Sequence, residues 1–159
     1  TKGYYTKLEH MSRCDSIRTT TLISHWRRQM NNQHKKGTIK PNGVVLEAHE
    51  LATVVFFTEL GYDIELIPRS NIEGLHLPDI IMDGLKWEIK APKGEGKWVI
   101  KNTLQKAKHQ SENIIIDLRR IKLPQEKCLS ELNNHFKLAK RIKRMKIITK
   151  SGKLLELNK

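Results

Sequence analysis

The segment PDIIMDGLKWEIK at residues 78–90 predicts a β-hairpin, and this hairpin decides how the rest of the chain is interpreted. Two apolar runs in this segment are separated by Asp83-Gly84, which is a strong signal for a two-residue hairpin loop. With these two residues in the loop, the residue numbers of paired positions sum to 167. Asp79 therefore lies directly opposite Glu88.

The predicted pairing sets two carboxylates against each other. Opposed Cβ atoms in an antiparallel pair are about 4.5–5.5 Å apart, so the carboxylates of Asp79 and Glu88 would repel one another. A divalent cation between them removes this repulsion, and hard carboxylate oxygens suit Mg²⁺ or Mn²⁺. Lys90 projects from the same face because it lies two residues beyond Glu88.

This cluster predicts a metal-dependent phosphodiesterase. A carboxylate-bound metal lowers the pKa of a bound water and stabilises negative charge on phosphate oxygens. Lys90 would orient the nucleophile or stabilise the transition state, and His76, in the loop before the hairpin, is either a helper of the leaving group or a bystander. Glu and Lys on the solvent face of a surface strand are the alternative interpretation.

The elements around the hairpin predict a mixed α/β domain. A helical spacing of apolar residues and a terminal glycine precede it, and a buried-type apolar strand follows it. In chain order, the flanking elements are a helix at 44–60, a strand at 62–67, a helix at 103–111, a strand at 113–118, a helix after Pro124 and a hairpin at 145–157.

A turn signal at Pro41-Asn42-Gly43 divides the chain into two predicted regions. Residues 1–42 form a basic N-terminal helical arm and linker, and residues 43–159 form the compact domain with a mixed β-sheet flanked by helices. No apolar run approaches the ~20 residues of a membrane helix, and no signal-peptide pattern is expected at the N-terminus. The chain does not begin with Met, so we expect a piece of a longer protein.

Positive charge is concentrated at the two ends of the chain. The formal net charge is +13, and residues 1–40 contribute +7 while residues 119–159 contribute +10. The middle, residues 41–118, is acidic at −4. Two basic flanks of this size favour a polyanionic partner, of which nucleic acid is the most common, whereas a well-solvated surface is the alternative.

The hairpin residues resemble a known nuclease motif. Pro78-Asp79 followed by Glu88-Ile89-Lys90 is similar to the motif of the PD-(D/E)xK superfamily. Three longer segments, at residues 78–84, 87–92 and 110–120, resemble the CdiA-type C-terminal tRNase domain of contact-dependent growth-inhibition and phage-associated polymorphic toxins. The similarity covers about residues 43–157 and does not include the arm.

The resemblance implies roles for individual residues. Asp79 and Glu88 match the metal-binding acids and Lys90 matches the motif lysine, with Mg²⁺ as the expected ion and Mn²⁺ or Zn²⁺ as alternatives. Glu50, on the helix before the motif, matches a further catalytic and metal-binding glutamate, although Glu47 lies one turn earlier and would serve instead. A helix residue facing the site in related nucleases is matched by Gln110, whose alternative is an exposed helix end.

Two basic clusters are the predicted nucleic-acid contacts. Lys93, Lys97 and Lys101 surround Trp98, which either stacks on a base or packs on the core. Lys140, Arg141 and Arg144 belong to a predicted basic helix together with Lys137 and Lys143, and a solvated helix face is the alternative. Asp117, in a buried-type strand, requires a partner, for which Arg119 and Arg120 are the candidates.

The function that these expectations favour is a metal-dependent endonuclease that cleaves RNA. The resemblance implies a tRNA substrate, delivery as the C-terminal part of a larger secreted or phage-associated toxin, action in the target-cell cytoplasm, and a cognate immunity protein. A DNA endonuclease of the same superfamily and a non-catalytic nucleic-acid-binding module are the alternatives. The oligomeric state stays open.

Overall fold

The computed structural model describes residues 35–159, and Lys36–Lys159 form one compact unit. The predicted helical part of the arm lies outside the described residues. In residues 35–159 the helices are α1 (Ala48–Glu59), α2 (Val99–Ala107) and α3 (Gln125–Leu138). The strands are β1 (Ile39–Lys40), β2 (Ile64–Leu66), β3 (Ile80–Met82), β4 (Leu85–Lys90), β5 (Asn113–Asp117), β6 (Arg144–Ile148) and β7 (Leu154–Asn158).

The seven strands of this part of the chain form one mixed sheet in the order β1-β2-β3-β4-β5-β6-β7. Strands β2, β3 and β4 pair antiparallel, β4, β5 and β6 pair parallel, and β7 returns antiparallel to β6. Met82 pairs with Leu85 and Ile80 with Trp87, which confirms the predicted hairpin register. The prediction of a mixed α/β sheet flanked by helices is confirmed as well.

Helices cover both faces of the sheet. Alternation along β5 separates the two cores, because Ile114 packs with α2 and α3 while Ile115 packs with Val54 and Phe57 of α1. All five residues of β5 are buried, as is usual for a central parallel strand. Each of these fully buried isoleucines contributes about 1.5–3 kcal/mol to stability. The sheet is therefore a rigid support for the end of β4, which carries Glu88.

Several helix boundaries differ from the sequence prediction. Helix α1 begins at Ala48 and not at residue 44, and α2 ends at Ala107 and not at residue 111. Helix α2 begins at Val99, with Trp98 as its N-cap, and not at Thr103. Burial of Ile100 in the first turn explains the earlier start, because tertiary packing supports helix residues that local capping signals do not mark. Helix α3 ends at Leu138, so the prediction that Lys140, Arg141 and Arg144 lie on this helix is wrong.

Strand β1 was not predicted, because two exposed residues show no alternation of apolar and polar side chains. Strand β1 pairs parallel with β2 although it lies before residue 42, where the sequence predicts the boundary between arm and domain. The division of the chain at residue 42 stays a prediction. Across residues 35–159, none of the helices has the length and apolar character that crossing a bilayer requires.

Candidate active site

A cleft of about 370 Å³ opens at the end of the hairpin. Its walls come from the first turn of α1, the loop before β3, strand β4 and the turn after α2. The predicted residues that line it are Glu50, His76, Asp79, Glu88, Lys90 and Gln110. The structure therefore brings together the whole predicted catalytic set, whose roles stay predictions.

Asp79 is fixed by the backbone of β4. Its amide donates a hydrogen bond to the Trp87 carbonyl at 3.0 Å, and its carboxylate Oδ2 accepts one from the Ile89 amide at 2.7 Å. Burial raises the pKa of Asp79, and the charge of Glu50 acts in the same direction. The backbone hydrogen bond from Ile89 and the charge of Lys90 oppose this rise.

Glu88 is buried on β4 with a relative exposure of only 1%. One of its carboxylate oxygens, Oε1, accepts a hydrogen bond from Nζ of Lys90. The other, Oε2, is the one buried side-chain polar atom of the described residues that has no hydrogen-bond partner. Burial raises the pKa of Glu88 to about 7, the charge of Asp79 contributes to the rise, and Lys90 opposes it.

The unpartnered oxygen gives the site a specific chemical need. An unsatisfied buried polar atom costs about 1–3 kcal/mol, and more when it is charged. Either a proton or a bound cation satisfies Oε2 of Glu88, and the neighbouring carboxylate of Asp79 would share that cation. Two carboxylates fit Mg²⁺, which usually keeps several waters and binds through one or two carboxylates plus substrate phosphates.

Glu50 lines the cleft but serves another purpose as well. Its Oε2 accepts a hydrogen bond from the amide of Glu47 at 3.0 Å, which caps the start of α1. Glu47 itself lies near His49, with 3.3 Å between Oε2 and Nδ1, and does not line the cleft. Within residues 35–159, no group of three or more His, Cys, Asp or Glu side chains is arranged to hold a metal ion. The acidic side chains that the cleft offers to a metal ion are thus Asp79 and Glu88, with Glu50 lining the same cleft.

The loop before β3 supplies lining residues that the sequence analysis missed. Arg69 brings a guanidinium to the cleft, and three large apolar side chains of the same loop line it although they are solvent-exposed. These apolar residues are Ile72, Leu75 and Leu77. The sequence signal that could have indicated these lining residues was a set of apolar residues in a glycine-containing loop. Such a loop has no regular structure and cannot bury them in the core.

Asp117 has the partner that was predicted for it. Nε of Arg119 donates to Oδ1 at 3.0 Å, and the hydroxyl of Thr53 donates to Oδ2 at 2.7 Å. Burial acts to raise the pKa of Asp117, but the hydrogen bonds from Arg119 and Thr53 outweigh it and hold the pKa below its usual value. This carboxylate does not line the cleft.

The predicted nucleic-acid contacts are divided among several places. Lys101, Lys140 and Arg141 line a second groove, between α2 and the end of α3, whereas Lys93 and Lys97 lie exposed in the loop before α2. Arg144 begins β6 and points to Asn113, with 3.3 Å between Nη1 and Oδ1. The alternative that Trp98 packs on the core is wrong, because Trp98 is 56% exposed.

Residues 76–154 match a family model, which is described as the contact-dependent growth inhibition CdiA C-terminal domain. This span includes Asp79, Glu88 and Lys90 but not Glu50. It also includes the second groove. The motif half of the candidate site and the groove are thus the part of the chain that is similar to this family.

A solved structure, the CdiA-CT/CdiI toxin and immunity complex from Burkholderia pseudomallei, contains a chain with a similar fold. The match has a TM-score of 0.58 and covers 77% of this chain and 100% of that chain. At 15% identity, the likeness shows the fold and does not extend to individual residues. No curated protein matches the chain.

Proposed function

We propose that the chain is a metal-dependent endonuclease of the PD-(D/E)xK class that hydrolyses RNA phosphodiester bonds as a toxin domain. The observation that carries this proposal is the buried, unpartnered Oε2 of Glu88, beside Asp79 and Lys90 in an open cleft. A buried orphan oxygen destabilises a purely structural hairpin, so its presence next to a second carboxylate favours a site that takes up a cation.

Asp79 and Glu88 would hold the metal ion, with Mg²⁺ first and Mn²⁺ or Zn²⁺ as alternatives. When bound, such an ion supplies an activated water and stabilises charge on the phosphate oxygens. The Ile89 amide fixes the orientation of Asp79, and the sheet around β4 fixes Glu88. Because both ligands are held before binding, little ordering of the protein is needed when the ion enters.

Lys90 supplies the positive charge that a phosphate substrate requires. Its ammonium contacts Oε1 of Glu88 and keeps a quarter of its side chain exposed, at 25%, so that it reaches the cleft. An amine in this position stabilises the negative charge that develops in phosphodiester cleavage. Arg69 and Gln110 line the same cleft and offer further N–H donors to phosphate oxygens.

The biological part of the proposal depends on the family match and on charge. A net charge of +13 fits a polyanionic substrate. The family model supports a CdiA C-terminal toxin domain, and tRNA is proposed from the resemblance of the motif segments to CdiA-type tRNase domains. Delivery as the C-terminal part of a secreted toxin and action in the target-cell cytoplasm are proposed on the same basis. The similar fold in a toxin and immunity complex favours a cognate immunity protein as the physiological partner.

The test is cleavage of total tRNA by the purified protein in Mg²⁺, Mn²⁺ or Zn²⁺, with and without EDTA. Cleavage that stops in EDTA and in the variants Asp79→Asn, Glu88→Gln and Lys90→Met would support the proposal. The control is Glu112→Gln, which removes the carboxylate of an exposed Glu–Lys pair with Lys143 and should leave cleavage intact.

Three outcomes would redirect the proposal. Cleavage that persists in EDTA would exclude the metal mechanism. Supercoiled plasmid that is nicked faster than tRNA is lost would favour the DNA endonuclease. Tight, salt-dependent RNA binding without cleavage in any of the metals would favour the non-catalytic binding module.

A further inference from the structure

A second groove, of about 600 Å³, lies between α2 and the segment that follows α3. Among the described residues that line it, every ionisable side chain is a Lys, Arg or His, and none is a carboxylate. These side chains are Lys101, Lys108, His109, His135, Lys140 and Arg141. Since like charges gathered in one groove repel each other, this arrangement favours an anionic occupant.

The floor of the groove is apolar. Leu104 and Ile142 lie at its base, and Leu138 is left 79% exposed at its side. An occupant that alternates charged groups with apolar faces suits a basic rim over such a floor. A nucleic-acid strand has this character, because its phosphates carry the charge while its bases and sugars present apolar surfaces.

The groove and the active-site cleft are neighbours along the chain. Lys108 and His109 line the groove, and the next residue, Gln110, lines the cleft with Glu88 and Lys90. The turn after α2 therefore contributes side chains to both sites, which favours a single strand as the occupant of both.

The opposite end of α2 carries an exposed aromatic platform. Nζ of Lys97 lies 4.9 Å and Nζ of Lys101 lies 5.2 Å from the ring centre of Trp98. Lys101 is thus shared between the platform and the groove. An exposed tryptophan flanked by lysines is a stacking surface for an unpaired base, and this feature favours RNA over an acidic protein as the occupant.

We propose that this basic groove binds the phosphate backbone of the RNA strand that flanks the scissile bond, with Trp98 stacking a base at its far end. The proposal rests on the proposed function, because it places the same RNA in the groove and in the cleft. Lys101 and Lys108 are separated by about 10 Å along α2 at 1.5 Å per residue. That length corresponds to roughly three nucleotides at the 3.4 Å spacing of a stacked strand.

The first test measures tRNA binding in EDTA, so that it does not depend on cleavage. The groove variant combines Lys108→Ala, Lys140→Ala and Arg141→Ala. The control variant combines Lys86→Ala, Lys127→Ala and Lys153→Ala, which removes the same charge from exposed positions that do not line the groove. At about 0.15 M salt we expect the dissociation constant to rise about tenfold or more in the groove variant and no more than about twofold in the control.

The salt dependence of binding separates phosphate contact from general charge. Each lost phosphate contact lowers the slope of log K against log salt by about 0.7 for a single strand, so the groove variant should lose about two units of slope. Trp98→Ala should weaken binding about fivefold or more through lost stacking. Equal affinities and slopes for the groove and control variants would overturn the proposal. Tighter binding of polyglutamate than of tRNA by the wild-type protein, lost in the groove variant, would overturn it as well.

The second test uses cleavage kinetics, if the wild-type protein cuts RNA. The groove variant should raise KM for tRNA while kcat at saturation is unchanged. It should cut a dinucleotide RNA as fast as the wild type, because a substrate with one phosphodiester bond has no flanking strand to fill the groove. A fall in kcat on the short RNA would contradict a backbone-binding role. If the wild type does not cleave, the proposed function fails, and the binding test still decides the role of the groove.

Discussion

Glu88 and Asp117 are both buried carboxylates at strand positions of the same sheet, with 1% and 2% relative exposure, yet their surroundings are opposite. Asp117 accepts hydrogen bonds from Arg119 and Thr53 and satisfies both of its oxygens. Glu88 contacts Lys90 through one oxygen and leaves the other without a partner. Burial is equal in the two sites, so the supply of hydrogen-bond donors makes the difference.

The pKa values of the two carboxylates express this difference. Donors hold the pKa of Asp117 below its usual value, whereas burial and the charge of Asp79 raise that of Glu88 to about 7. A carboxylate with a low pKa and full pairing strengthens the fold at neutral pH. A carboxylate with a raised pKa and a free oxygen is ready to exchange a proton for a cation, as groups at functional sites often are.

The largest expected effect is on catalysis and concerns Glu88 alone. Glu88→Gln should lower the rate of tRNA cleavage by about 10³-fold, because the amide cannot supply the anionic oxygen of the site. Asp117→Asn should cleave within about tenfold of the wild type at a temperature where it is folded. Initial rates on the same tRNA preparation measure both, and equal losses in the two variants would remove the distinction between the sites.

Stability should show the reverse order. Asp117→Asn leaves the guanidinium of Arg119 with a neutral partner, and we expect it to lower the free energy of unfolding by about 2–4 kcal/mol. Glu88→Gln should leave stability unchanged or raise it, because it removes a buried charge that Lys90 contacts only at Oε1, while Oε2 has no donor among the described residues. Urea unfolding at pH 8 in EDTA measures both values. A Glu88→Gln protein that is the less stable of the two would show that Glu88 has a structural role.

The pH dependence of stability sharpens the same comparison. The folded pKa of Glu88, about 7, lies above the value of 4.5 that it has in the absence of the fold, so folding takes up a proton between these values. The contribution of Glu88 is therefore fully present below about pH 4.5 and is lost as the pH rises through 7, by about 3 kcal/mol. Asp117 has the opposite sign, because its stabilisation is present at neutral pH and is lost as the pH falls below its usual pKa of 3.8.

Urea unfolding in EDTA between pH 5 and pH 8 tests this sign. The wild-type free energy of unfolding should fall over that range relative to Glu88→Gln, which lacks the titrating group. The raised pKa of Asp79 acts in the same direction. Parallel curves for the two proteins would mean that Glu88 keeps an ordinary pKa when folded, and the contrast with Asp117 would then lose its electrostatic basis.

The sequence predicted the part of the candidate site that local geometry controls. A two-residue loop fixes the register of a hairpin, which explains why the predicted pairing of Met82 with Leu85 was confirmed, and the strand period then places Glu88 and Lys90 on one face. The partner of Asp117 was predicted only in part, because Arg119 is a neighbour in sequence whereas Thr53 comes from a helix 64 residues away. Oε2 of Glu88 is unpartnered because no surrounding residue in the described part of the chain supplies a hydrogen-bond donor, and no local sequence pattern indicates the absence of a donor.

The basic groove shows the same limit. The sequence places Lys101 and Lys140 in two separate basic clusters, and they line one groove only because α2 packs against the end of α3. No sequence pattern marks Lys108 and His109 as part of a groove, because isolated cations near a helix end are common on solvated surfaces. Trp98 could not be assigned from the sequence, because the tertiary structure decides whether an aromatic N-cap residue lies on the core or in solvent.

The smallest expected effect is the stabilisation of the protein by metal. Mn²⁺ at about 100 times its dissociation constant should raise the free energy of unfolding by about 2.7 kcal/mol at pH 8, if the ion binds the folded state alone. At pH 6 the same Mn²⁺ concentration should stabilise less, since a proton on Glu88 competes and the affinity falls about tenfold for each pH unit below 7. Thermal unfolding by calorimetry measures this without any substrate. Asp117→Asn should keep the full increment on its lower baseline and Glu88→Gln should lose it, so an increment that survives in Glu88→Gln would place the metal elsewhere.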